Sequence, residues 1–115
     1  MQHQLLQYTK SVREPWFSLI KSGAKTIEGR LNKGDFAIMR AGDYVTWTCG
    51  SQSVKTQIKA IYYHKTFATY LKARTLKACL PGVKTILEGV KIYHGFYSRD
   101  DERKYGICAI ELAAL

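Results

Sequence analysis

The strongest constraint on this chain is a hairpin at residues 44–63. Tyr44-Val45-Thr46-Trp47-Thr48-Cys49 is a run of β-branched and aromatic residues, a composition that suits the pleated, half-buried surface of a strand. Gly50-Ser51-Gln52 is a turn tip, and Val54 to Tyr63 is the return strand. Gly42-Asp43 is the turn that leads in.

Around this hairpin the elements are short. Gln2 to Tyr8 suits an opening strand. Pro15 fits the first turn of a helix, where its missing N–H would have no partner anyway, and Trp16, Phe17, Leu19 and Ile20 give that helix an apolar face. Gly23 is placed to end it. Lys25 to Leu31 alternates as a strand, with Thr26, Glu28 and Arg30 on one face. Asn32-Lys33-Gly34-Asp35 is a turn. Thr66 caps a short helix carrying Phe67, Tyr70 and Leu71, and Leu80-Pro81-Gly82 breaks the chain. Thr85-x-x-Glu88 is a capping-box pattern for a further helix with Leu87, Val90 and Tyr93 facing inward. Asp100-Asp101-Glu102, before Arg103-Lys104, reads as a solvated turn, and Tyr105 to Leu112 as a closing strand. Strands outnumber helices, so the expected class is α+β: a small barrel with two to three short helices covering its open side and flanking a cleft.

The 115 residues suit one domain spanning 1–115. Apolar residues make up 46% of the chain and are spread along it, which argues against disorder. No apolar run approaches the ~18 residues of a membrane span, and Met1-Gln2-His3-Gln4 lacks the features of a secretory signal. Cys49, Cys79 and Cys108 are odd in number and widely spaced, with no CxxC or Cys–His pair. Free thiols in a reducing, intracellular compartment (cytoplasm or nucleus) are expected, with no metal site and no cofactor. The net charge is +9, which favours a polyanionic partner. From Lys55 to Lys91 eight basic residues stand against the single acid Glu88, a local balance of +7.

The stretch Glu14-Pro15-Trp16-Phe17-Ser18-Leu19-Ile20-Lys21-Ser22-Gly23-Ala24-Lys25-Thr26-Ile27-Glu28-Gly29-Arg30 resembles the signature of the ASCH domain, an amphipathic helix followed by G-x-K-T-x-E-x-R. Ala41-Gly42-Asp43 before the hairpin, Leu80-Pro81-Gly82 between helices and Tyr105 to Leu112 as the last strand agree with that family. The resemblance runs from about Val12 to Leu112. It implies a PUA-like barrel with a cleft between barrel and helices, acting on or with RNA. One branch of the family removes the acetyl group from N4-acetylcytidine with a Lys, a Thr nucleophile and a Glu; another has been described as cleaving RNA.

Lys25 matches the family lysine and is a candidate base or phosphate contact. Glu28 stands where the amidohydrolase branch has its threonine, and a carboxylate is a poor replacement for a hydroxyl nucleophile. Glu28 is then an acceptor for a base amino group, a general base toward a 2′-OH, or a structural partner of Lys25 or Arg30. Arg30 has the planar fork that suits a phosphate. Lys21 would widen the basic patch. Trp16 is a stacking candidate, and Trp47 a core residue. Tyr97, Ser98 and Arg99, in an aromatic-polar segment with Tyr93, His94 and Phe96, are candidates to line the cleft. Three functions remain open. The first is binding of RNA or a nucleotide, with DNA also possible. The second is hydrolysis of RNA phosphodiesters or of a modified nucleoside. The third is docking of an acidic protein partner. The catalytic candidates of the second are Lys25 and Glu28.

Overall fold

The computed structural model describes residues 4–115. The elements in chain order are β1 (Gln7–Ser11), α1 (Trp16–Ser22), β2 (Ile27–Leu31), a 3-10 turn (Gly34–Ala37), β3 (Tyr44–Cys49), β4 (Gln52–His64), α2 (Phe67–Arg74), α3 (Leu76–Cys79), α4 (Ile86–His94), α5 (Arg99–Tyr105) and β5 (Ile107–Ala114). The strands form one sheet in the order β1-β3-β4-β5-β2. It is curled into a half-barrel of PUA-like type. β1 runs parallel to β3, and every other pair is antiparallel.

The hairpin forms as its composition requires. The ladder runs from Tyr44↔Gln57 to Cys49↔Gln52, so the turn tightens to Gly50-Ser51. Gly50 has φ +59, a conformation that is cheap for glycine. β4 is 13 residues long, and its register against β5 shifts between Ile58 and Ala60. Such a bulge bends a strand and raises its twist, which helps the sheet curl.

Two apolar clusters lie on the two faces of the sheet. Inside the curl, Trp47, Ile58 and Ile110 pack with Phe17 and Ile20 of α1. Trp47 is fully buried, and its Nε1–H donates to Thr56 Oγ1 at 3.0 Å. On the other face, Phe67, Tyr70, Leu71 and Tyr93 of the helices pack on Ile107 and Ala109. β5 serves both clusters, which is why Ile107, Cys108, Ala109 and Ile110 are all buried rather than alternating.

Several expectations are corrected. The opening strand is Gln7–Ser11, not Gln2–Tyr8; residues 2 and 3 lie outside the described residues, and Leu5 and Leu6 are exposed. β1 begins beside the Asp43 turn, whose buried carboxylate accepts from the backbone N–H groups of Leu6 and Arg40, each at 2.9 Å. Asp100-Asp101-Glu102 lies in the first turn of helix α5, where acids meet the positive end of the helix dipole. β5 therefore starts at Ile107. Helix α4 presents Ile86, Gly89, Val90 and Tyr93 inward, while Leu87 is 65% exposed. Gly89 sets that face: a Cβ there would lie 2.7 Å from Leu71 Cδ1.

Candidate functional site

A cavity of about 400 Å³ opens where the two edge strands of the half-barrel face each other. β1 and the residues after it contribute Ser11 and Arg13. The hairpin tip contributes Thr48 to Gly50. Trp16 comes from the start of α1, and Tyr93, Phe96 and Tyr97 from α4 and the segment after it. Lys25, Glu28 and Arg30 supply the ionic part of the wall.

β2 carries Glu28 and Arg30 on one face, two residues apart, as strand alternation requires. Lys25 precedes the strand and turns inward, with its backbone N–H bonded to Leu19 O. Thr26, expected beside Glu28, is exposed instead, because the ladder begins only at Ile27↔Glu111.

Lys25 is 2% exposed. Its Nζ donates to Ile27 O at 2.7 Å and to Cys79 O, and lies 3.3 Å from Glu28 Oε1. The other carboxylate oxygen, Glu28 Oε2, accepts from Arg30 Nε at 3.2 Å and Nη2 at 3.1 Å. Arg30 Nη2 also donates to Ser11 O at 2.7 Å, reaching across from β2 to β1. The guanidinium lies 5.2 Å from the Phe36 ring centroid and 5.4 Å from that of Trp47, which holds its plane. The site is thus a carboxylate clasped by two cations, with one net positive charge.

Burial pushes the Glu28 carboxyl up, but the charges of Lys25 and Arg30, with their hydrogen bonds, outweigh it and hold the group below its ordinary value of 4.5. A carboxyl lowered on folding contributes stability that is present above its unfolded pKa and lost as pH falls through the folded one. The unfolding temperature of the wild type is therefore expected to drop below about pH 4.5 more steeply than that of Glu28→Gln. Equal acid limbs for the two proteins would show that the clasp contributes nothing to folding.

Between the two charged residues, Gly29 touches the tip of Tyr70. A Cβ at this position would lie 2.5 Å from Tyr70 Cζ and 2.6 Å from its hydroxyl. Tyr70 is fully buried and its hydroxyl is bonded to that of Tyr93 at 3.0 Å, so the ring has nowhere to go. Gly29→Ala is expected to destabilise the fold by about 1–3 kcal/mol, measured by urea unfolding; a neutral result would mean that the ring shifts freely.

Trp16 is half-buried, with Lys25 Nζ 5.8 Å from its ring centroid. Tyr97 is held by stacking on Phe67 at 5.6 Å, and Phe67 in turn stacks on Tyr93 at 4.5 Å. Burial pushes the Tyr97 phenol up, so it stays protonated and can donate.

The fold gathers Trp16, Lys25, Glu28, Arg30 and Tyr97 around one cavity. It places the other candidates elsewhere. Lys21 is exposed on α1 with Nζ 3.4 Å from Gln52 Oε1. Ser98 is exposed and caps α5, accepting from Asp101 N–H at 3.1 Å, and Arg99 is the exposed first residue of that helix. Neither lines the cavity, because the chain turns into α5 directly after Tyr97. None of the eight basic residues from Lys55 to Lys91 lines it either; they are distributed over β4, α2, α3, α4 and the segments between. One cation of the wall escaped the sequence argument. Arg13 lies 5.2 Å from the Phe96 ring centroid, and its place next to the Glu14–Arg30 motif was the available signal. Among the described residues no group of three or more His, Cys, Asp or Glu side chains could hold a metal ion, and no helix is long and apolar enough to cross a membrane.

The family model of the ASCH domain matches residues 11–115. This chain belongs to the ASCH domain family. Among solved structures, this ASCH domain is similar to hypothetical protein PH0355, at 36% identity and a TM-score of 0.89 over 95% of this chain and 99% of that one. It is also similar to protein PF0455 from Pyrococcus furiosus, at 36% identity and a TM-score of 0.79 over 95% and 97%. ZmASCH from Zymomonas mobilis, crystallised as a point mutant, shares the fold at 16% identity, with a TM-score of 0.54 over 91% of this ASCH domain and 66% of that chain. No curated protein matches. Membership of the family fits a domain of general RNA-binding type.

Proposed function

We propose that this ASCH domain binds RNA or a nucleotide in the cavity beside β2. The observation that carries this reading is the clasped Glu28 carboxylate in the wall of an aromatic-sided cavity of about 400 Å³. That volume lies in the usual range for small-ligand sites. A carboxylate kept ionised by two cations still has one acceptor site open, on Oε1, and a carboxylate accepts from N–H donors such as the exocyclic amino group of cytosine. Trp16 supplies a ring on which a base can stack. Arg13 and Arg30 are the cavity's cations suited to a phosphate. The net charge of +9 adds long-range attraction for a polyanion.

The hydrolytic alternative has Lys25 and Glu28 together in its favour. Against it, the Lys25 ammonium has an acceptor for each of its three N–H bonds, an arrangement that suits a fixed counter-charge better than a base. An acidic protein partner has no comparable feature at this cavity.

Fluorescence anisotropy of a short labelled single-stranded RNA tests the reading. Binding is expected to weaken with salt, by about 0.7 in log affinity per log salt for each phosphate contact. Trp16→Ala is expected to weaken it by about 1–3 kcal/mol. Absence of binding at low salt, or indifference to Trp16→Ala and Arg13→Ala together, would remove this cavity from consideration. Turnover of RNA or of an acetylated cytidine, lost in Glu28→Gln with binding retained, would move the conclusion to the hydrolytic alternative.

A further inference from the structure

A second hollow, of about 570 Å³, lies where the end of β4, the start of β5 and the C-terminal half of α5 meet. It shares no lining residue with the first. Its charged lining residues, Lys65, Arg103 and Lys104, are all basic and exposed, and among the described residues no acid lines it. Arg103 pairs with Asp100, and an exposed pair of this kind contributes little and exchanges readily. Lys33, just outside, and Lys104 each hold Nζ 5.1 Å from the Tyr105 ring centroid, which adds to the positive field over this end of the molecule.

One further feature points to a ligand rather than to a solvated basic face. Tyr63 lines the hollow and is 58% exposed, so its ring offers a flat surface to whatever lies above it. Asn32 and His64 also line the hollow. Burial and the nearby Arg74 charge push the His64 pKa down, so at neutral pH the ring is uncharged and does not repel the cations around it.

We propose that this hollow is a second contact for single-stranded nucleic acid, with phosphates on Lys65, Arg103 and Lys104 and a base stacked on Tyr63. The combination of a basic groove and a stacking ring is what sequence-tolerant single-strand binding uses. The inference rests on the nucleic-acid reading of the first cavity for the nature of its occupant, but its residues are separate.

The test is anisotropy with a labelled single-stranded RNA, long enough to reach both sites, on the full chain at several salt concentrations. Tyr63→Ala is expected to weaken binding by roughly 5- to 150-fold, the loss of one stacked base. Lys65→Ala with Lys104→Ala is expected to lower the slope of log affinity against log salt by about 0.7 for each contact removed. The altered residues are exposed, and unchanged unfolding midpoints verify the fold; Tyr63→Leu, which keeps apolar bulk but removes the ring, guards against a local collapse. Loss of binding in Trp16→Ala with no change in the Tyr63 and lysine variants would overturn this second contact and leave the first reading intact. The reverse pattern would uphold it and overturn the first. No binding by the wild type would overturn both. Equal weakening toward heparin and RNA in the lysine variants, with Tyr63→Ala silent, would reduce the hollow to a non-specific basic patch and overturn the proposal.

Discussion

Lys25→Met is expected to cost this fold about 3–5 kcal/mol, the range for removing one partner of a buried ion pair. The side chain is buried to the same degree as its apolar neighbours, and methionine is close to it in size. What disappears is the donor. Glu28 Oε1 loses its counter-charge, and the carbonyls of Ile27 and Cys79 lose their partner in a place with little access to water. Arg30 still holds Glu28 Oε2, which keeps the cost from rising further. Urea unfolding of the single and paired variants measures this. Lys25→Met combined with Glu28→Leu is expected to cost less than the sum of the two single changes, because each single change strands the other charge. Additive costs would show that the two groups do not sense each other.

Phe67→Ala is expected to destabilise by a similar amount, about 3–5 kcal/mol, through loss of buried area and the cavity left behind. Phe67 has no exposed surface. It stacks on Tyr93 with 7° between the ring planes and on Tyr97 with 18°, so it is the middle plate of three. Truncation leaves Tyr93 and Tyr97 without the surface that orients them. Both line the cavity, so the loss of stability is expected to come with weaker RNA binding. That loss should persist at a temperature where Phe67→Ala is still fully folded. Retained affinity under those conditions would separate the stack from the site. Since small domains hold only about 5–15 kcal/mol in total, either substitution removes a large share of it.

The parts of this fold governed by local rules were legible in the sequence. Tyr44–Cys49 carries its own strand composition, and its ladder falls where expected. Thr66 and Thr85 each accept from a backbone N–H three residues on. Gly23 ends α1 with φ +85. The errors fall where long-range packing overrides local pattern. Leu87 is strongly apolar and still faces water, because the approach of α4 to Leu71 is set by the missing side chain of Gly89. The acidic run at 100–102 looked like a turn, although Ser98 before it and Arg103-Lys104 after it form the charge pattern of a short helix. Within that helix Glu102 is buried, accepting from Phe67 N–H at 2.7 Å and paired with His94 at 2.8 Å, contacts no local rule anticipates. At the site, the pairing of Glu28 with Arg30 follows from strand alternation. The approach of Lys25 to Cys79, 54 residues away, does not.

A half-barrel of five strands ends in two edges, β1 and β2. Where a complete barrel would close them with a ladder of backbone bonds, here one guanidinium spans the gap from Arg30 to Ser11 O. A backbone ladder fixes the girth of whatever it encloses. A side-chain tether does not: it slackens when the guanidinium gives up its bond to Ser11 O, about 1.5–3 kcal/mol for a charged donor, and a full change of rotamer also gives up the two bonds to Glu28. The gap between the two edges is therefore spanned by a side chain, and its width can change without disturbing any strand pairing.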